Sequence, residues 1–247
     1  MSAFDEEVEN RIGANGRNEA LQASARSMMR TTIAAQYSYN FSWLGRPIIQ
    51  YPQDIVAMQE LIWSLQPDLI IETGIAHGGS LIFYASMLEL NAACGGPQGA
   101  TVVGVDIDIR AHNRNAIERH PMVKRIEMIE GSSISSDVIR RIRGKAATKE
   151  RVLVSLDSNH THSHVLAELE AYASLATVGS YCVVFDTIID DLPSETYLDR
   201  SWGPGNNPKT ALSEFLKTHP EFEVDRQIDH KLLISVAPSG FLRRISK

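Results

Sequence analysis

Two carboxylates and a histidine follow the ends of two largely apolar segments, and together they could do metal and acid–base chemistry. Asp157 ends one segment, His160 comes three residues later, and Asp186 ends the other. Two carboxylates suit a hard divalent cation such as Mg²⁺, which keeps several waters and accepts a substrate hydroxyl. Such an ion lowers the pKa of the bound hydroxyl. His160 is then placed to take the proton as general base.

A cluster of three histidines allows a second interpretation. His160, His162 and His164 alternate along the chain, and two of them with Asp157 could form a two-histidine-one-carboxylate iron site. His162 and His164 are predicted to enter a helix, where residues two apart do not share a face. The sequence therefore favours one basic histidine and two at a helix start, with His162 exposed to solvent. The iron site is the less favoured alternative.

A glycine-rich segment from Glu72 to Ser80 follows a short apolar run and precedes a helical pattern, so it is predicted to join a strand to a helix. Its glycines at 74, 78 and 79 let backbone approach a ligand where a Cβ would clash. Ser80 can cap the helix or hydrogen-bond a carboxylate. The lysine of a phosphate-binding P-loop is missing, and the glycine spacing does not match the dinucleotide fingerprint.

Asp106 ends the next apolar segment, where an acid can accept hydrogen bonds from both ribose hydroxyls. This acid and the acid-x-Gly loop together favour S-adenosylmethionine (SAM) over NAD, with Ser80 at the methionine carboxylate and Gly131-Ser132-Ser133 near the adenine. An ordinary tight turn or a helix-capping acid would explain any one of these three features, the glycine-rich loop, the acid and the Gly-Ser-Ser segment. It explains less well why all three stand at the ends of successive strands. The predicted cofactor-binding residues are Glu72, Gly74, Ala76, Ser80, Asp106, Ser132, Ser133 and Asp157.

The strands and helices that must position these residues alternate along the chain from residue 69 onward. Short apolar strands separated by helices predict an α/β fold with a doubly wound, mostly parallel, seven-stranded Rossmann-like sheet and a terminal antiparallel hairpin. Ligands of such sheets bind beyond the carboxyl ends of the strands, so the acids should share one crevice. Strands are predicted at 69–72, 101–105, 125–129, 152–156, 180–185, 221–225 and 231–236, and helices at 79–93, 111–119, 135–143, 162–176 and 208–218.

Residues 1–50 lack strand signals and are predicted to form an appendage of helices and an aromatic loop, before a catalytic domain over 51–247. The aromatic loop, residues 37–45, either lines a pocket or only packs against the domain. The loop 187–207, with Tyr197 and Trp202, is predicted to shape the pocket of a small-molecule acceptor, because loops of that length are commonly functional.

Composition excludes several classes of partner. The net charge of -6 over 247 residues leaves no basic stripe to neutralise nucleic-acid phosphates. No apolar run approaches the length of a membrane span, and the acidic, polar N-terminus does not resemble a signal peptide. Cys94 and Cys182 lie far apart and are expected to be reduced. A soluble, cytoplasmic protein is predicted, with no nucleic-acid or membrane partner.

The sequence resembles the cephalosporin hydroxylase-like family, which includes rhamnosyl and macrolide-sugar O-methyltransferases with the SAM-dependent methyltransferase fold. The resemblance runs from about Trp43 to Arg244. It rests on Trp43-Leu44-Gly45-Arg46-Pro47, the Glu72 to Ser80 loop, Leu156-Asp157-Ser158-Asn159-His160 and Gly203-Pro204-Gly205-Asn206-Asn207-Pro208. It implies a homo-oligomeric, SAM-dependent O-methyltransferase of sugars or natural products, assisted by Mg²⁺, with Asp157 and His160 as catalytic residues.

One position departs from the family. Metal-dependent relatives have Glu-Asp at the end of the fifth strand, where this chain has Phe185-Asp186. The metal would then be held more weakly by Asp157 and Asp186, completed by Thr187, or absent, and Asp190 or Asp191 could contribute instead. Two further hypotheses stay open: a hydroxylase-associated enzyme, and a non-catalytic SAM-binding protein that lacks a full metal site.

Overall fold

Short apolar segments build the central sheet of the protein, whose computed structural model describes residues 2–247. The strands are β1 (Ser42–Trp43), β2 (Arg46–Pro47), β3 (Leu69–Thr73), β4 (Thr101–Asp106), β5 (Ile126–Glu130), β6 (Val152–Leu156), β7 (Tyr181–Val184), β8 (Phe222–Val224) and β9 (Phe241–Arg244). β1 and β2 form a separate antiparallel pair. The other seven lie in the order β5-β4-β3-β6-β7-β9-β8, and β9 runs opposite to the other six described strands of this sheet. The predicted fold class is confirmed.

Helices cover both faces of this sheet. They are α1 (Ala3–Arg17), α2 (Glu19–Ala34), α3 (Pro52–Leu65), α4 (Gly79–Ala93), α5 (Ala111–Glu118), α6 (Ser136–Ala146), α7 (His162–Tyr172), α8 (Pro208–Phe215) and α9 (Arg226–Leu232). Successive strand residues point to opposite faces. In β3, Ile70 belongs to a hydrophobic cluster with Phe83 of α4, whereas Ile71 belongs to a second cluster with Leu169 of α7. Burial on both faces explains why the strands are apolar throughout.

The chain reverses its strand order at β3, which lies between β4 and β6. Just beyond the strand ends, the Gly74 N–H donates to Val105 O at 2.8 Å and the Asp157 N–H donates to Thr73 O at 2.9 Å. The three loops that carry the predicted site therefore meet at one edge of the sheet. Such a switch point is where open α/β sheets bind ligands.

The last strand does not lie where the sequence predicts it. Residues 226–232 are helical, with the Asp225 carboxylate accepting from Gln227 N–H at 3.0 Å, and β9 begins only at Phe241. The prediction of a strand over 231–236 is wrong, although the antiparallel terminal pair exists as β8 and β9. The backbone of Val236 hydrogen-bonds Asp54 and Ile188 instead of a neighbouring strand.

The N-terminal segment packs directly on the sheet domain. Met29 of α2 is 3% exposed and belongs to the same hydrophobic cluster as Ile70. The Thr32 hydroxyl lies 2.8 Å from the Tyr51 hydroxyl, so the end of α2 contacts the residue that precedes α3. The predicted boundary at residue 50 stays a prediction. Within residues 2–247, the helices are all too short or too polar to cross a membrane.

Candidate functional site

The loop after β3 requires glycine at position 74 for two reasons. Its backbone is left-handed (φ +93°), and a Cβ there would lie 1.9 Å from the carbonyl oxygen of Asp157. The Oδ2 of Asp106 accepts from the N–H groups of Ile75 (2.8 Å) and Ala76 (3.1 Å), and thereby fixes the loop to the end of β4. That Asp106 also accepts hydrogen bonds from the hydroxyls of a ribose stays a prediction.

A side-chain clamp holds the far side of this loop. Arg46 donates from Nε to His77 O at 3.0 Å and from Nη2 to Asn113 Oδ1 at 2.9 Å. Asn113 in turn donates to Ala76 O at 2.9 Å. The carbonyl groups of Ala76 and His77 are thus bound by Asn113 and Arg46. The N–H groups of the loop after β3 remain for Asp106 or for a ligand. Asn113 could not be predicted from the sequence, because nothing in a helical pattern distinguishes a buried asparagine whose side chain hydrogen-bonds the backbone.

Two cavities that share lining residues are bordered by the residues predicted to bind the cofactor. A cavity of ≈ 340 Å³ is lined by the loop after β3, by Asp106 and by residues after β5 and β6, and a cavity of ≈ 200 Å³ lies beside the start of α4. Both are bordered by Gly74 and Asp157. Seven of the eight predicted residues line one or both: Gly74, Ala76, Ser80, Asp106, Ser132, Ser133 and Asp157. Glu72 is buried behind them.

Burial raises the pKa of Glu72 to about 8, against the opposing effect of a hydrogen bond from Ser80. Its Oε2, and the Oε1 of Gln50, have no hydrogen-bond partner among the described residues. Buried acceptors normally have donors. Together with the glycine cradle, these orphan acceptors fit a cofactor whose methionine end carries an ammonium group.

The predicted catalytic residues, Asp157 and His160, converge with the predicted metal ligand Asp186. Asp157, His160 and Asp186 each offer a ligand atom within 4.8 Å of the others, and His160 Nδ1 lies 3.4 Å from Asp186 Oδ2. Burial, then the negative charges of Asp186 and Glu72, raise the pKa of Asp157 well above its usual range. A divalent cation would relieve that repulsion, and two carboxylates are an appropriate ligand set for Mg²⁺.

The other two histidines have different partners. His162 lies 2.9 Å from Thr210 Oγ1 through Nδ1 and 3.2 Å from Glu214 through Nε2. His164 lies 3.0 Å from Ser133 Oγ and lines the larger of the two cavities. Within the described part of the chain, a two-histidine-one-carboxylate set is therefore not assembled. His162 is partly covered rather than free in solvent, contrary to expectation.

A third cavity, of ≈ 410 Å³, shares Asp157, His160 and Asp186 with the ≈ 200 Å³ cavity. The end of α2, the aromatic loop and the loop 187–207 supply most of its other walls. These include Ile33, Ala34, Ser38, Tyr39, Thr196, Tyr197, Asp199, Arg200 and Trp202, and Gln36 and Tyr51 lie beside them. The Trp202 ring contacts the His160 ring edge-on at 4.9 Å, and the Arg200 guanidinium lies 5.4 Å from the Trp202 ring. Both predicted loops therefore line this cavity.

A family model described as Rhamnosyl O-methyltransferase/CmcI matches residues 35–245. The chain belongs to this family. Membership confirms the resemblance and the predicted class of enzyme, an O-methyltransferase. The chain is 31% identical over 192 residues to the Rhamnosyl O-methyltransferase of Mycobacterium bovis, covering 77% of this chain and 73% of that protein. It is 28% identical over 205 residues to the Mycobacterium leprae protein of the same name, covering 82% of each.

Among solved structures, CmcI with Mg and SAM is similar over 84% of this chain and 78% of that chain, with a TM-score of 0.58 and 18% sequence identity. This likeness shows the fold. An O-methyltransferase from Bacillus cereus in complex with SAH gives a TM-score of 0.52 at 18% identity, covering 81% of each chain.

Thr187, Asp190 and Asp191, which were predicted to complete the metal site, have other contacts in this Rhamnosyl O-methyltransferase/CmcI family member. Phe185, which stands where metal-dependent relatives have an acid, is 1% exposed and packs in the core. The Thr187 hydroxyl donates to Pro238 O at 2.7 Å, and Thr187 is not among the described residues that line the cavities beside Asp186. Asp190 accepts from Gly205 and Asn207, and Asp191 pairs with Lys209. Asp157 and Asp186 are the carboxylates left for a metal.

Proposed function

We propose that this chain transfers the methyl group of SAM to a hydroxyl of a sugar or natural-product acceptor, with Asp157 and Asp186 holding Mg²⁺ and His160 acting as general base. One observation carries the proposal. Asp157, His160 and Asp186 line both the ≈ 200 Å³ cavity of the cofactor loop and the ≈ 410 Å³ cavity beyond it. A hydroxyl in the second cavity can thus approach a group held in the first. The predicted homo-oligomer is a separate expectation.

When bound, SAM supplies the electrophilic methyl group and Mg²⁺ lowers the pKa of the acceptor hydroxyl. His160 would accept the proton of the acceptor hydroxyl, and its neighbours would orient the imidazole ring. The Asp186 carboxylate beside Nδ1 of His160 favours a proton on that nitrogen, which leaves Nε2 as the basic atom. The Trp202 edge restricts rotation of the imidazole ring. Aromatic walls with hydroxyl, carboxylate and guanidinium groups suit a polyhydroxylated ring.

The test compares His160→Ala with His162→Ala. We expect His160→Ala to lower methyl transfer to a rhamnoside, the sugar named for the mycobacterial relatives, by about 10²–10⁴-fold, because a general base contributes that much. SAH binding should be unchanged. His162 lies two residues away but contacts Thr210 and Glu214, so its variant should retain activity. Full turnover by His160→Ala on an acceptor that the wild type methylates would contradict the assigned role.

The core position of Phe185 favours a second candidate, a SAM-binding protein without a complete metal site. Calorimetric titration of Mg²⁺ into the SAH complex distinguishes the two candidates, with Asp186→Asn as reference. Heat of binding in the wild type that the variant lacks supports the methyltransferase. Absence of Mg²⁺ binding, together with no turnover on any acceptor tested, supports the non-catalytic candidate.

A further inference from the structure

We propose that Gln50 binds the α-ammonium group at the methionine end of the cofactor, an inference that rests on the proposed function. Gln50 lies between β2 and α3 and is 3% exposed. It lines the ≈ 200 Å³ cavity together with Ser80 and Asp157. The nitrogen and the oxygen of its amide have different surroundings, which decides what the side chain can bind.

The amide nitrogen of Gln50 faces acceptor oxygens. The side chain lowers the pKa of Asp157 and of Tyr84, which is the effect of an N–H donor turned towards their oxygens. A carboxylate only accepts, so the NH₂ end of the amide must face Asp157. This contact fixes the orientation of the amide, and Oε1 is the atom left over.

The Oε1 of Gln50 is a buried acceptor without a donor among the described residues. Glu72 presents a second such acceptor, Oε2, and Glu72 and Gln50 both influence Asp157 and Tyr84. These two unpaired acceptor oxygens, near the same two side chains, could both be satisfied by a ligand with several N–H donors. An ammonium group has three.

The charge of the cavity agrees with this assignment. Asp157 and Asp186 line it, Glu72 lies behind it, and the described lining residues include no Lys or Arg. A cation therefore gains from entering, whereas the cofactor carboxylate is better placed at the backbone N–H groups that begin α4. Gln50 and the start of α4 would thus hold the two charged ends of the same amino-acid group.

The experiment measures the affinity of two ligands, SAH and its desamino analogue, for the wild type and for Gln50→Met by calorimetry. Methionine keeps the length of the side chain and removes the acceptor. We expect the wild type to prefer SAH by at least about tenfold, because a hydrogen bond to a charged group has that effect on affinity. In Gln50→Met this preference should fall by about tenfold, with affinity for the desamino analogue within about twofold.

The matched control is Gln53→Met. Gln53 also has a buried Oε1 without a partner in the described chain, but it does not line the cavity, so its variant should keep the wild-type preference. Gln50→Asn, which withdraws the same acceptor by one methylene, should repeat the loss if Gln50→Met folds poorly. If Gln50→Met loses affinity equally for SAH and for the desamino analogue, or keeps the wild-type preference, the inference about Gln50 is overturned. The assignment of SAM as the cofactor is not affected by that result. Failure of the wild type to bind SAH overturns the proposed function as well.

Discussion

At the scale of single residues, Gly74 joins the loop after β3 to the end of β6, where the proposed catalytic residues begin. Its missing side chain lets the loop after β3 touch the backbone of Asp157, a candidate metal ligand. The geometry of the cofactor site and that of the reaction centre are therefore linked through one contact. A substitution at Gly74 tests this link, because the cost of its φ angle can be separated from the cost of its close approach.

We expect Gly74→Ala to lower the free energy of unfolding by more than Gly45→Ala does, and to abolish SAH binding. Gly45 also has a positive φ (+84°) but no atom within 4 Å of the added Cβ, so its variant measures the conformational cost alone, about 1–2 kcal/mol. The Gly74 Cβ must in addition displace the Asp157 carbonyl. Urea unfolding and calorimetry measure both effects. Equal destabilisation and intact SAH binding would show that the strand end moves freely.

The residues that sequence alone could place are those at strand ends. Asp106 is the last residue of a buried strand and Asp157 and Asp186 follow two others, and parallel topology brings such positions to one edge of the sheet. Gln50 could not be assigned to the site from the sequence, because it precedes the first strand of the large sheet. Its proposed role depends on the nearness of its side-chain amide to Asp157, which is distant in sequence. Unpaired atoms become visible only when all neighbours are known.

At the scale of elements, the segment between α9 and β9 is held by a buried carboxylate of α3. Asp54 accepts from Ser235 Oγ at 2.6 Å and from Val236 N–H at 3.0 Å, and Val236 O accepts from Ile188 N–H at 3.1 Å. This arrangement connects α3 to Ile188 and Val236, which line the ≈ 410 Å³ cavity. It also explains why residues 231–236 are not a strand despite their apolar content, since periodicity does not report a carboxylate 181 residues away.

The Asp54 carboxylate should make stability depend on pH. Burial, opposed by its two hydrogen bonds, raises the pKa of Asp54 to about 7 from an ordinary 3.8. The folded state therefore binds a proton more tightly than the unfolded state, so stability falls as pH rises from about 4 to 7. We expect the wild type to lose stability over this window relative to Asp54→Asn, which keeps the side-chain shape without a charge. Urea unfolding at several pH values measures the difference; parallel pH profiles would show that Asp54 is ionised in the folded protein throughout.

At the scale of the whole molecule, the segment before the sheet domain helps to form the ≈ 410 Å³ cavity that we propose binds the acceptor. Ile33 and Ala34 at the end of α2, and Tyr39 in the aromatic loop, line this cavity together with residues of the loop 187–207. A close contact also joins α1 to α9, where a Cβ on Gly16 would lie 2.5 Å from the His230 ring. The first 50 residues thus contribute walls to the site as well as cover to the core.

Such packing predicts that the N-terminal helices unfold together with the sheet rather than as a separate unit. Met29→Ala tests this, because Met29 shares its hydrophobic cluster with the central strand β3. We expect a loss of about 2–5 kcal/mol in one cooperative transition, as for other large-to-small core changes. Met28, the preceding residue, is 44% exposed, and Met28→Ala should change stability by less than about 0.5 kcal/mol. Calorimetry decides the question: a separate early transition in Met29→Ala, with the main midpoint unchanged, would show that the predicted boundary at residue 50 divides two independent units.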